Sequence, residues 1–192
     1  ALKNILKDKN YHIITTNADN AFDIAGYDMD KVFHIQGKYG LMQCSKHCHA
    51  KTYQDEALMR RLAVEQENME VDYRSIPLCP ECGAPLEVNK RNAEKGMVED
   101  PIFFEHLDKY NEFLENNRDK KTLFIEIGVG FTTPQFIKYP FYRELDKNPN
   151  ALMVTMNQKK YQFPERIASR VLWFNQNNKD LTLKVEELLE NN

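Results

Sequence analysis

All four cysteines of this chain fall in two close pairs, Cys44/Cys48 and Cys79/Cys82, and no other feature restricts its fold as strongly. Cys-x3-Cys and Cys-x2-Cys each turn two sulfurs toward one point, and two such points brought together make a tetrahedral thiolate site for Zn²⁺. Pro80 ahead of Cys82 and Gly83 behind it suit a tight knuckle. Four thiolates fill the coordination sphere and leave no position for water, so a zinc ion at Cys44, Cys48, Cys79 and Cys82 is expected to be structural. His47 and His49 are the available substitute ligands, and four reduced, buried cysteines are the alternative to a metal. The start of the chain, Ala1 to Asp8, reads as part of an amphipathic helix rather than a secretory signal. A cytoplasmic setting is therefore expected, where paired cysteines favour zinc over disulfides.

Around this cysteine segment, apolar runs alternate with helical periodicity. Strands are predicted over residues 11–15, 32–35, 122–127, 151–155 and 170–174, with a short return strand at Leu86-Glu87-Val88. Helices are predicted over residues 2–10, 52–69, 101–114 and 134–145, the last broken or kinked by Pro140, and in a closing segment capped by Asp180. Gly37 and Gly40 are expected to bracket a tight turn into Leu41. Strands alternating with helices indicate an α/β fold with a doubly wound, Rossmann-like parallel sheet. Residues 1–37 and 101–192 would form that domain, and residues 38–100 an inserted zinc-binding module. The 26 basic and 29 acidic residues nearly cancel, so neither nucleic acid nor a membrane surface is expected as a partner. The longest apolar runs are too short to span a bilayer.

Candidate functional residues lie at the strand ends, where open parallel sheets hold their ligands. Asn17 and Asp19 follow the first strand, and an amide and a carboxylate two residues apart suit a ligand bearing a carboxamide and hydroxyls. The same residue types also cap ordinary turns. Gly128-Val129-Gly130 ends another strand with a helix expected soon after, so that backbone amides could face a phosphate; an ordinary glycine turn is the alternative. Asn157, at the end of a third strand, could hold a ribose or close a plain turn.

Taken in order, Thr15-Thr16-Asn17-Ala18-Asp19, Val32-Phe33-His34-Ile35-Gln36-Gly37, the two cysteine pairs, Gly128-Val129-Gly130 and Asn157 resemble the sirtuins over nearly the whole chain. The resemblance implies an NAD-dependent enzyme with a structural zinc. Thr16, Asn17 and Asp19 would surround the nicotinamide end of NAD, Gly128, Val129 and Gly130 would hold phosphate and ribose, and Asn157 the adenosine ribose. Sirtuin deacylases carry His-Gly where this chain has Gln36-Gly37. An amide cannot take the ribose proton that the histidine takes, so the substitution favours ADP-ribosyl transfer, with Asn17, Asp19 and Gln36 as the catalytic set. His34 is the rival base: on a regular strand it would face the same side as Gln36, about 6–7 Å away.

This pattern resembles the macrodomain-linked microbial sirtuins, which implies a protein mono-ADP-ribosyltransferase. A lipoyl-carrier protein similar to the glycine-cleavage H protein is the implied acceptor, and a macrodomain hydrolase the partner that reverses the mark. An NAD-dependent deacylase and a non-catalytic zinc-ribbon binding module are the alternatives. The sirtuin Gly-Ala-Gly-x-Ser segment is missing, since the first glycine is Gly26. The chain is thus expected to be the C-terminal two-thirds of a longer protein, its sheet incomplete and apolar sheet edges exposed.

Overall fold

Strands and helices alternate as expected in the computed structural model, which describes residues 1–191. Contacts divide the chain into two units, one formed by Ile13–Lys109 and the other by Ala1–His12 with the chain from Tyr110 onward.

The first unit begins with a parallel pair, β1 (Ile13–Thr15) against β2 (Val32–His34), in which Thr15 is opposite His34. Helix α2 (Ala21–Ile24) lies between them in sequence. Val32 and Phe33 are almost fully buried, and the Phe33 ring packs 5.1 Å from Phe103 of α4 (Pro101–Asn116). The expected tight turn at Gly37 and Gly40 is absent: Gly37–Cys44 is one strand, β3. It stays extended because β4 (Thr52–Tyr53) and β5 (Leu86–Lys90) pair with it antiparallel on either side, with a register shift between Gly37 and Met42. The helix expected from residue 52 starts later, as α3 (Glu56–Glu65), where the Asp55 side chain accepts from the Leu58 amide.

Gln43 ties this sheet together. Its side chain is fully buried. Its Oε1 accepts from Asn89 Nδ2 at 2.8 Å and from the Val98 amide at 2.7 Å, and its Nε2 donates to Glu87 Oε1 at 3.0 Å. Such a satisfied buried network fixes one register, because breaking it strands polar groups without water. Met42, Cys44, Cys79, Ala84 and Leu86 form the small core beside it, with Tyr53, Leu58 and Met59 packed on top.

The second unit is built on a three-stranded parallel sheet, β6 (Leu123–Ile127), β7 (Leu152–Met156) and β8 (Val171–Phe174), in that spatial order. Helix α5 (Lys138–Lys147) covers one face through Phe141, whose ring is 4.9 Å from Phe124. Leu145, Met153 and Ile167 of the short α6 (Glu165–Ala168) are fully buried there, each contributing about 1.5–3 kcal/mol.

The strand expected over residues 122–127 forms as β6 with one face buried: Phe124 and Glu126 are buried, while Leu123, Ile125 and Ile127 are partly or largely exposed. Two expectations need correction. Pro140 neither breaks nor kinks α5. It sits in the first turn, where the amide it lacks would have no helical partner anyway. The closing helix, α7 (Asn178–Glu190), is capped by Asn177 rather than Asp180, the Asn177 side chain accepting from the Lys179 amide. Helix α1 (Leu2–Leu6) is shorter than expected and meets α7 through a 2.6 Å bond from Asn4 to Glu186. No helix among the described residues is long and apolar enough to cross a membrane.

Candidate active site and cysteine centre

The cysteine centre follows from two turns. The amide of His47 donates back to the Cys44 carbonyl at 2.9 Å, and that of Gly83 to the Cys79 carbonyl at 2.9 Å. Both turn residues have positive φ, 49° for His47 and 67° for Gly83. The extra residue of the first pair is thus absorbed by a left-handed histidine, where the second uses glycine. These turns bring four sulfurs within 4.8 Å of one another, with Cys44–Cys82 at 3.5 Å and Cys48–Cys79 at 3.6 Å.

Sulfurs about 2.3 Å from a tetrahedral ion stand about 3.8 Å apart, so the spacing fits a tetrathiolate site and is far too long for disulfides. The thiols alone are poorly matched. Backbone amides, that of Cys48 foremost, pull Cys44 down to about 6, whereas burial and the neighbouring sulfurs push Cys48 up. A central cation would remove that conflict by stabilising all four thiolates together. His49 does not enter the cluster as a fifth ligand. Its Nδ1 lies 2.9 Å from Cys48 Sγ and its Nε2 2.7 Å from Tyr53 Oη. His47 turns away toward Gln43 and Glu87.

In the same unit, the segment after β1 folds over the segment after β2. The Thr15 hydroxyl accepts from the Asn17 amide at 3.1 Å, its carbonyl accepts from Ile35, and the Tyr39 amide donates to the Ala18 carbonyl at 2.8 Å. These bonds gather Thr16, Asn17, Ala18, Asp19, Gln36 and Tyr39 around a cavity of about 410 Å³, completed by Lys90 and Arg91. Four of the residues singled out from the sequence, Thr16, Asn17, Asp19 and Gln36, therefore line one cavity. Asp19 also serves its turn, since Oδ1 accepts from the Ala21 amide at 3.0 Å.

His34 is buried, with Nδ1 3.0 Å from the Asn17 carbonyl. A carbonyl can only accept, so this nitrogen carries the proton and fixes the ring against Asn17, with Nε2 left as the acceptor nitrogen. Burial, with Lys38 and His106 nearby, holds the imidazole below its ordinary pKa, against the opposing pull of the Asn17 carbonyl and Asp19.

Lys90 and Arg91 were not legible as site residues. They reach the cavity because β5 pairs with β3, Lys90 opposite Gly37 and the Arg91 amide donating to the Gln36 carbonyl at 3.1 Å. The Arg91 guanidinium bonds Glu99 at 2.6 Å and the Ile35 carbonyl at 3.3 Å. Only a basic pair in the sequence hinted at them, and basic pairs are common on surfaces.

The second unit holds the remaining sequence-predicted residues. Gly128 has φ 69° and donates its amide to Met156, so the chain turns sharply at the end of β6. Val129 accepts from Asn157 Nδ2 at 3.1 Å, and Asn157 Oδ1 accepts from the Lys159 amide at 2.9 Å. Gly128, Val129, Gly130 and Asn157 thus form one cluster at the ends of β6 and β7, in which the Asn157 amide braces the glycine turn. The helix expected soon after Gly130 begins only at Lys138. Its N-terminus therefore does not follow directly on the turn, and any anion there would meet loop amides instead.

No protein-family model matches the chain. A protein of Staphylococcus aureus named "Protein ADP-ribosyltransferase" is 56% identical over 172 residues, which are 90% of this chain and 55% of that protein. One of Fusarium oxysporum f. sp. cubense, named "Probable bifunctional ADP-ribose hydrolase/ADP-ribosyltransferase", is 29% identical over 132 residues, 66% of this chain and 22% of that protein. The chain thus spans about half the length of the first and less than a quarter of the second. Among solved structures, a Sir2 bound to acetylated peptide matches 97% of this chain and 67% of its own, with a TM-score of 0.62 at 19% identity. That likeness is one of fold: the chain has the Rossmann-like α/β fold of Sir2, with parallel sheets and a four-cysteine cluster.

Proposed function

We propose that this chain is part of a sirtuin-family protein mono-ADP-ribosyltransferase of the macrodomain-linked microbial class, consuming NAD and carrying a structural zinc on Cys44, Cys48, Cys79 and Cys82. The observation that carries the reading is the lining of the 410 Å³ cavity, where Gln36 stands with Asn17 and Asp19 and no histidine is among the lining residues. That lining offers an amide and a carboxylate for a nicotinamide and its ribose, and no imidazole to take a ribose proton. The name and 56% identity of the Staphylococcus aureus relative support the same reading.

In the reaction, the bond between ribose C1′ and the nicotinamide nitrogen breaks, and nicotinamide leaves with the bonding pair, neutralising its ring. A nucleophile of the acceptor protein bonds to C1′. Asp19 would hold the carboxamide through its second oxygen, Asn17 would orient the ribose, and Gln36 would position the acceptor or ribose. Gln36 takes no proton, so any proton on the nucleophile passes to water or to the acceptor. The Gly128–Gly130 turn and Asn157 carry the groups suited to phosphate and ribose. The acceptor is proposed to be a lipoyl-carrier protein similar to the glycine-cleavage H protein, with a macrodomain hydrolase reversing the mark, in a cytoplasmic setting.

The test is a three-way assay on the full-length protein with labelled NAD, the acceptor protein and an acyl-lysine peptide. Label on the acceptor, reduced at least about tenfold by Gln36→Ala, is expected from the loss of one transition-state hydrogen bond. Loss of the acyl group with no protein label would instead establish a deacylase. Neither, with zinc retained, would leave a non-catalytic zinc-ribbon module.

A further inference from the structure

Lys138, the first residue of α5, has a setting that the proposed reaction does not explain. Its side chain is fully buried, with Nζ 2.6 Å from Oε2 of Glu126, whose side chain is fully buried too. Nζ also lies 5.2 Å from the ring centroid of Phe131 and 4.8 Å from that of Tyr161. The two rings stand 4.7 Å apart. A buried ion pair adds little net stability, because desolvating both charges offsets their attraction, and an apolar pair of similar volume often serves as well. Stability is therefore a weak reason for this arrangement.

Position is a stronger one. Glu126 lies on β6 two residues before Gly128. Thr155, whose hydroxyl donates to the same Glu126 oxygen at 3.4 Å, lies on β7 two residues before Asn157. Phe131 directly follows Gly130. Tyr161 lies four residues beyond Asn157, and its hydroxyl is 3.8 Å from where a Cβ on Gly130 would stand. One ammonium thus sits among both strands and both loops that carry the glycine turn and Asn157. It is held by charge from the strand side and by two aromatic faces from the loop side.

We infer that Lys138 is a positioning residue for dinucleotide binding: anchored by Glu126, it clamps Phe131 against Tyr161 and so fixes the loops that present Gly128–Gly130 and Asn157. The inference rests on the NAD-consuming reading above, and it adds a residue outside the contact set.

The test uses the full-length protein as wild type, Glu126→Met/Lys138→Met and Tyr161→Leu. The double variant removes both charges at similar volume, so its melting temperature should stay within about 3 °C of wild type. Its KM for NAD should still rise at least about tenfold with kcat within about threefold, the signature of lost ground-state binding. Tyr161→Leu keeps the ion pair and removes one ring, and should raise KM in the same way. In both variants, amide hydrogen exchange should quicken in residues 128–137 and 157–164 and not within β6–β8. Wild-type KM in a folded double variant, or in Tyr161→Leu should the double variant not fold, would overturn the inference alone and leave a structural pair. Failure of the wild type to bind or consume NAD would overturn the functional reading, and this inference with it.

Discussion

Replacing Gly37 by alanine should cost more stability than the same change at Gly40, Gly83 or Gly96. Gly37 has φ 93°, and a Cβ built there would stand 2.9 Å from the carbonyl carbon of Asn89 and closer still to its oxygen. That carbonyl cannot give way cheaply. Asn89 is buried in β5, and its side chain donates to Gln43 Oε1 at 2.8 Å and to the Val98 carbonyl at 2.9 Å. Left-handed backbone in a residue with a Cβ costs about 1–2 kcal/mol, and forcing a methyl into a packed contact about 1–3 kcal/mol. A total of about 3 kcal/mol lowers the melting temperature of a chain of this size by about 6–12 °C.

Gly40 is the internal control. It lies on the same strand without positive φ, and nothing is within 4 Å of where its Cβ would stand, so Gly40→Ala should shift the melting temperature by less than about 2 °C. The damage should also reach the cavity, because the amide-to-carbonyl bond between Arg91 and Gln36 is adjacent to the clash. Thermal denaturation of both variants, monitored by far-ultraviolet circular dichroism, checks the argument. Equal shifts for the two substitutions, or a Gly37→Ala protein as stable as wild type, would refute the claim that the close approach of β3 and β5 governs this strand.

Two further outcomes follow from the same structure. Metal analysis should find one zinc per chain, lost in Cys48→Ala and kept in His49→Ala, since the four sulfurs complete the site and His49 lies outside it. Structural zinc binding is worth about 10–16 kcal/mol in small zinc-finger peptides, so chelation should unfold the module, and zinc retained by Cys48→Ala would exclude the tetracysteine assignment. Stability should fall as pH drops through and below 6.5, the ordinary value from which burial depresses both His34 and His106. The unfolded chain then binds protons that the folded chain refuses, so stability is complete above that pH and is lost on acidification. Lys38 faces both rings and adds to the effect, while Asp19 on His34 and Asp30 and Glu105 on His106 oppose it. Melting curves from about pH 7.5 to about pH 5.5, with zinc release followed in parallel, test this. A slope unchanged in His34→Gln and His106→Gln would assign the acid sensitivity to the thiolates instead.

What was legible in the sequence had local causes. The cysteine turns depend on residues three and four apart, and the amphipathic face of α4 on a 3.6-residue period, so a short window contains each of them. Elements that the sequence misplaces depend on partners far along the chain. Gly37 and Gly40 resemble a turn because glycine is the usual turn residue. They lie instead in a strand because β5, some fifty residues later, approaches too closely for a side chain at Gly37. Lys90 and Arg91 join the cavity by that same pairing.

Glu126 carries the point furthest. In Leu123-Phe124-Ile125-Glu126-Ile127, hydrophobicity alone predicts that the glutamate faces water and the isoleucines face the core. The observed burial is the reverse, with Glu126 inside and Ile125 and Ile127 exposed. Lys138 makes this possible by supplying the counter-charge from α5, a helix whose start the sequence misplaced. Burial pushes the Glu126 carboxyl up, and only Lys138 and Thr155 pull it back. The inverted pattern therefore persists because its partner is present. A charged residue at a buried strand position without local explanation is the sequence-level trace of a long-range pair, and in this chain that pair lies directly beneath the glycine turn.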